Sequence, residues 1–185
     1  GLVGSEMCIR DSYGVKGVCI SAVALVKGVC RAAGLEVPDV PGATGSYDAD
    51  LDAKFSYALK VLGEGADLAV VHIKATDLAS HDHLVGKKVE MIERVDEALG
   101  RALGELDIDG STYVVLTADH TTSLRTGKHE GDPVPVLIAG PEVRPDRVAS
   151  FDEVSCAHGG LCRLRGKDLM PILMNLLGKI ERFGF

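Results

Sequence analysis

Two stretches decide how this chain folds: Ala66-Asp-Leu-Ala-Val-Val-His-Ile-Lys-Ala-Thr-Asp77-Leu-Ala-Ser-His81 and Thr112-Tyr-Val-Val-Leu-Thr-Ala-Asp119-His120. Each is an apolar, β-branched run that ends in an acid and a histidine. A third run, Pro133-Val-Pro-Val-Leu-Ile138, follows His129. Runs of this length and composition read as strands, and a nearly continuous apolar strand such as Leu68–Ile73 suits a parallel sheet covered on both faces.

Helical patterns separate the strands. Val15–Ala24 reads as a strand feeding a helix that Gly34 stops. Asp48–Leu62 carries Leu51, Phe55, Ala58, Leu59 and Leu62 at helical spacing. Val85–Leu106 places Val89, Ile92, Val95, Ala98, Leu99, Ala102 and Leu106 on one face, with Glu90 and Arg94 as a surface pair. Lys167–Leu177 is a final helix stopped by Gly178. Strands alternating with helices predict an α/β fold, a mainly parallel sheet flanked by helices. In such sheets ligands bind beyond the carboxyl ends of the strands, which is where Asp77, Asp119 and His120 fall.

Composition narrows the function. The chain has 185 residues, 46% of them apolar, enough for one real core and too apolar for a disordered chain. Aromatics are 4%, tryptophan is absent, and the net charge is −7. That excludes a stacking surface for single-stranded nucleic acid and disfavours DNA or an anionic membrane as partner. The five cysteines, Cys8, Cys19, Cys30, Cys156 and Cys162, form no C-x-x-C pair and read as free thiols of a reducing compartment. No apolar run is long enough to span a bilayer and no secretory signal is present, so the expectation is a cytoplasmic protein. Residues 1–12 (GLVGSEMCIRDS) fit nothing that follows and read as a non-native leader; residues 13–185 form the domain proper.

The chemistry lies in five residues. Asp77 and His81 are four apart, so a helical turn points both the same way. Asp119 and His120 sit together at a strand exit, and His129 adds an imidazole. Carboxylate with imidazole suits divalent manganese, zinc, iron or cobalt, and five such groups exceed the needs of one catalytic ion, so two metals are predicted. His72, inside a strand, reads as a core residue supporting the site. Asp82 and His83 read as solvated neighbours. His158, in Ala157-His-Gly-Gly160, reads as loop or substrate contact, and Pro41-Gly-Ala-Thr-Gly45 as a connector or an amide loop for an anion.

Together, Val71-His-Ile-Lys-Ala-Thr-Asp77-Leu-Ala-Ser-His81-Asp82, Leu116-Thr-Ala-Asp119-His120-Thr-Thr122, Lys128-His129-Glu-Gly-Asp132-Pro-Val-Pro135 and Gly159-Gly-Leu-Cys-Arg-Leu-Arg-Gly-Lys-Asp-Leu-Met-Pro171 resemble the archaeal-type 2,3-bisphosphoglycerate-independent phosphoglycerate mutases of the alkaline phosphatase superfamily. The resemblance implies an alkaline-phosphatase-like domain incomplete at its N-terminus, here its C-terminal part. It implies two divalent ions, commonly manganese, with magnesium, cobalt or zinc as alternatives. Asp77, His81 and His129 would hold one, Asp119 and His120 the other. The implied reaction interconverts 3- and 2-phosphoglycerate through a phosphoserine enzyme, and Lys16, Arg163 and Arg165 are the candidate contacts to the phosphorylated substrate. Ser80 replaces a usual glycine. Ser21, Ser46, Ser56 and Ser80 lie in the wrong context for the nucleophile, so the chain alone is expected to be inactive. Another superfamily metalloenzyme (phosphatase, phosphopentomutase or phosphonate hydrolase) and a non-catalytic metal-binding module are the alternatives. Oligomeric state has no signature here.

Overall fold

Strand β1 (Gly17–Ile20) pairs in parallel with β2 (Leu68–Val71), Gly17 opposite Leu68 and Ile20 opposite Val71. On its other side Glu36 bridges Val18, also in parallel, through Cys19 N–H to the Glu36 carbonyl at 2.7 Å and Glu36 N–H to the Gly17 carbonyl at 2.9 Å. β1 is therefore central and buried along its whole length, whereas β2 is half-buried. The sequence places the buried strand at β2; the flanking Glu36 segment gives that position to β1. The computed structural model describes residues 13–180, so the proposed leader over residues 1–12 lies outside the described residues. The chain divides into two units, Gly1–Glu105 and Leu106–Phe185.

In the first unit, α1 (Ala24–Ala32) follows β1, and α2 (Leu51–Gly63) precedes β2. The Asp50 side chain caps α2 by accepting from Ala53 N–H at 2.8 Å. α3 (Ala75–His81) and α4 (Val85–Leu103) complete the unit. Val18 and Ile20 of β1 pack on Ala58 and Val61 of α2. A second cluster joins Ala49, Leu51, Ala75, Met91 and Ala98, with Phe55, Ile73 and Val95 against it. Each fully buried aliphatic side chain contributes about 1.5–3 kcal/mol. The α4 stripe that meets this core is Met91–Val95–Ala98–Ala102, while Val89 and Ile92 are half exposed. The face read from the sequence is rotated because Met91, omitted from it, is the α4 residue with no exposure.

Arg94 also departs from expectation. Instead of pairing with Glu90, its guanidinium donates to the carbonyls of Tyr47 at 2.7 Å and Ala49 at 3.0 Å. Glu90 pairs with Lys87 at 2.6 Å. Carbonyls at the mouth of a loop offer a fixed acceptor pair that an exposed carboxylate does not.

In the second unit, β3 (Val114–Thr117) pairs with β6 (Val136–Ala139), Val114 opposite Ala139 and Thr117 opposite Val136. This pair is antiparallel, so the mainly parallel reading holds for β1 and β2 and not here. The connection between β3 and β6 contains no helix, only the hairpin β4 (Thr121–Thr122) and β5 (His129–Glu130), and a parallel crossover needs a covering element. Helices α5 (Glu153–Cys156) and α6 (Gly166–Leu176) follow, with Leu173 and Met174 of α6 buried.

Candidate metal centre

Asp77 sits in the first turn of α3 and His81 closes it. The helix begins three residues after His72, whose N–H donates to the Ile20 carbonyl at 3.0 Å at the end of the parallel ladder. Asp77 and His81 thus emerge at the carboxyl end of β1 and β2, the binding edge of a parallel sheet. His81 Nε2 lies 3.4 Å from Asp77 Oδ2. That is long for a hydrogen bond. It matches two donors on one ion, because ligand atoms about 2.1 Å from a metal sit roughly 3.0–3.4 Å apart in octahedral or tetrahedral geometry. The Asp77 carboxylate is only 14% exposed, so it needs a cation, and Lys74 Nζ donates to the same Oδ2.

Two neighbours hold α3 and its end in place, and a third holds the strand end that leads into it. Ser80, where the resemblance calls for glycine, is fully buried; its hydroxyl donates to the Thr76 carbonyl at 3.3 Å and accepts from Lys88 Nζ at 2.6 Å. The departure is thus accommodated by a partner on α4. Asp82 is not a bare solvated residue: Tyr47 Oη donates to its Oδ2 at 2.6 Å. Burial and this bond push the Tyr47 phenol up to about 12. Lys54 of α2 is 1% exposed and donates to the His72 carbonyl at 2.9 Å, while His72 Nδ1 lies 3.1 Å from Ser21 Oγ.

The loop from Pro41 to Gly45 lies at this edge. A β-carbon on Gly45 would be 3.7 Å from Ala22 Cβ and 4.0 Å from Lys74 Cβ. Two of its amides are used internally, Ala43 N–H on the Val40 carbonyl and Thr44 N–H on the Gly42 carbonyl. Lys16 sits at the other end. Its backbone N–H donates to Asp67 Oδ2 at 2.8 Å before β1 begins. The amino end of a parallel pair faces away from the carboxyl edge, so Lys16 is not brought together with Asp77 and His81.

In the second unit Asp119 and His120 follow β3 directly, and His120 N–H donates to Asp119 Oδ1 at 3.0 Å. His120 Nε2 and Asp119 Oδ2 are again 3.4 Å apart. The β4–β5 hairpin folds His129 back, opposite Thr122, so that the His120 and His129 rings stack with centroids 3.8 Å apart. The hairpin, which the sequence did not predict, thus brings His129 beside His120, whereas the resemblance grouped His129 with Asp77 and His81. Thr122, also missed, is 6% exposed with Oγ1 at 3.2 Å from His120 Nδ1. A Thr two residues beyond a candidate ligand, at the start of a hairpin, was the available signal.

Arg163 is exposed. Arg165 forks onto Asp168, Nε to Oδ2 at 2.9 Å and Nη2 to Oδ1 at 3.2 Å, which holds the carboxyl below its usual range and caps α6. His158 Nδ1 lies 2.9 Å from the Val154 carbonyl, one helical turn back. The next turn is tied by Asp146, whose carboxylate accepts from Gly160 N–H at 2.7 Å and Val148 N–H at 2.8 Å and is held below its usual range by them.

Carboxylate–imidazole pairs at strand exits of an α/β chain define a metalloenzyme class, and comparison with known proteins agrees. A family profile described as the metalloenzyme superfamily matches residues 4–176, and the chain belongs to that superfamily. Among curated relatives it is 45% identical over 184 residues to the 2,3-bisphosphoglycerate-independent phosphoglycerate mutase of Methanoculleus marisnigri, covering the whole of this chain and 44% of that one. It is 44% identical to mutase 1 of Methanothermobacter thermautotrophicus over 95% of this chain and 42% of that one. Two solved structures are similar. The PH0037 protein of Pyrococcus horikoshii superposes with a TM-score of 0.93 at 41% identity over 98% of this chain and 55% of that one. The cofactor-independent phosphoglycerate mutase of Thermoplasma acidophilum gives 0.69 at 28% identity over 92% and 39%. The chain thus spans less than half the length of these curated relatives.

Proposed function

We propose that this chain is the metal-binding portion of a cofactor-independent phosphoglycerate mutase, an isomerase that interconverts 3- and 2-phosphoglycerate. The observation that carries the reading is the repeated pair, Asp77 with His81 and Asp119 with His120, each with carboxylate oxygen and imidazole nitrogen 3.4 Å apart, one on the helix after β2 and one at the exit of β3. With His129, these side chains supply ligands for two divalent ions, manganese first, with magnesium, cobalt or zinc as alternatives. A bound divalent ion supplies Lewis acidity, neutralising phosphoryl oxygens and lowering the pKa of an attacking alcohol.

The chain's own residues do the rest. Asp77 and Asp119 contribute charge that a cation must balance. Arg163 and Arg165 offer guanidinium groups for a phosphate or carboxylate, Arg165 after exchanging its Asp168 partner. Lys16, at the amino end of β1, is left out of the contact set. On this reading the nucleophilic serine comes from sequence outside these 185 residues; within them Ser21 and Ser80 are buried, with hydroxyls in contact with His72 and Lys88. Residues 13–185 then form the C-terminal part of the metal-binding domain. Among the described residues no helix is long and apolar enough to cross a membrane. The free thiols of Cys19, Cys30, Cys156 and Cys162 suit a reducing compartment, so the reading places the protein in the cytoplasm.

The test is product analysis by phosphorus NMR. The protein encoded by the complete reading frame is loaded with manganese and given 3-phosphoglycerate. Accumulation of 2-phosphoglycerate supports the mutase; release of inorganic phosphate alone assigns a phosphatase instead. The 185-residue chain by itself is expected to bind metal without turnover, and turnover from it would refute the external serine.

A further inference from the structure

We infer that Thr122 is a positioning residue for His120, holding its ring in the tautomer that leaves Nε2 open to a metal. The inference rests on reading Asp119 and His120 as a ligand pair. A neutral imidazole carries one proton, and the nitrogen that keeps it is decided by the hydrogen bond made there. At Nδ1 the partner is Thr122 Oγ1 at 3.2 Å, within hydrogen-bond reach. At Nε2 an acid oxygen, Asp119 Oδ2, is 3.4 Å away, beyond a good hydrogen bond and at the spacing of two ligands on one ion. A threonine hydroxyl can accept or donate; when it accepts, the proton sits on Nδ1 and the Nε2 lone pair faces the same space as Oδ2, and this is the arrangement the inference assigns.

The threonine is itself fixed. It is 6% exposed and lies in β4, where it pairs with His129 on β5. The hairpin that sets the Thr122 hydroxyl under one face of the site thus also stacks His129 on His120, 3.8 Å between centroids. One β-branched residue couples the tautomer of one imidazole to the placement of the other. Partners of this kind, which orient a ligating histidine through its other nitrogen, typically change metal affinity 10–100-fold when removed.

The experiment uses the full 185-residue chain, with Thr122→Val, which keeps the shape and removes the hydroxyl, and Thr122→Ser, which keeps the hydroxyl. Two readouts are taken: the His120 tautomer from long-range nitrogen–proton NMR correlations without metal, and the affinity and visible spectrum of added cobalt(II). The expected result is an Nδ1–H tautomer for His120 in the parent. In Thr122→Val the proton moves to Nε2 and cobalt(II) binds 10–100-fold more weakly, and Thr122→Ser restores both. An Nε2–H tautomer in the parent, which needs no variant to observe, overturns the inference. So does a valine variant with parental tautomer and affinity. If the tautomer responds as expected but the parent binds no cobalt(II), the hold of Thr122 on the ring is supported and the ligand-pair reading alone falls.

Discussion

Lys54 Nζ reaches from α2 to the carbonyl of His72 at 2.9 Å, and that is the one hydrogen bond its ammonium makes to a described residue. The lysine is 1% exposed, and burial pushes its pKa below the ordinary value of 10.5. In the unfolded chain the group stays protonated up to that ordinary value. Between the depressed folded pKa and 10.5 the unfolded state therefore binds more protons, and stability rises with pH across that window. Lys54→Met keeps the stem and removes the charge. The difference in unfolding free energy between parent and Lys54→Met is expected to move in the parent's favour from neutral pH to about pH 10. A difference that stays flat over that range would rule out a buried titrating Lys54.

Arg94 and Tyr47 fasten the 41–50 loop to the helices that carry and support Asp77. Arg94 holds the carbonyls of Tyr47 and Ala49, and the Tyr47 hydroxyl holds Asp82 at the end of α3. Hydrogen bonds involving a charged group are worth about 1.5–3 kcal/mol, so Arg94→Met is expected to cost about 2 kcal/mol or more in urea denaturation. Arg94→Lys cannot fork to two carbonyls and should recover less than half of it. Tyr47→Phe, whose bond is solvent-accessible, should cost about 1 kcal/mol or less.

The order of elements and the position of the acids and histidines were legible because both are local. Apolar runs flanked by helical periodicity located β1, β2, β3 and β6, and Asp77 and His81 needed only a helical turn between them. What failed was long-range. The inward turn of Arg94 depends on carbonyls that lie 45 and 47 residues away. The burial of β1 depends on Glu36 docking beside it. The antiparallel β3–β6 pair and the two-residue strands that carry Thr122 and His129 have too few residues to show a period.

Gly17 illustrates a constraint invisible in the sequence. A β-carbon there would fall 2.1 Å from Leu35 Cδ2, in the place where the Glu36 segment lies against β1. Leu35 is 7% exposed and has little room to withdraw. Gly17→Ala is therefore expected to destabilise by about 1–3 kcal/mol, the usual cost of overpacking. The double variant Gly17→Ala with Leu35→Ala should be less destabilised than the sum of the single changes. Additivity in that cycle would mean that the two residues do not compete for the same space.

Metal binding offers the broadest test of the paired carboxylates. A ligand that binds only the folded chain stabilises it by RT ln(1 + [L]/Kd), about 2.7 kcal/mol at 100 times Kd. Adding manganese or cobalt(II) to the 185-residue chain should raise its melting temperature, and a chelator should reverse the rise. Asp77→Asn and Asp119→Asn each keep the shape of the side chain but remove its charge. They differ in starting stability because Asp77 is 14% exposed and engaged by Lys74, while Asp119 is 66% exposed. In the absence of metal Asp77→Asn should therefore lower the melting temperature through the unpaired Lys74, and Asp119→Asn should leave it nearly unchanged. With metal, both variants should lose part of the induced rise, and the double variant nearly all of it. A full metal-induced rise in the double variant would show that the stabilising ion binds elsewhere, and the paired acids would then lose their role as ligands.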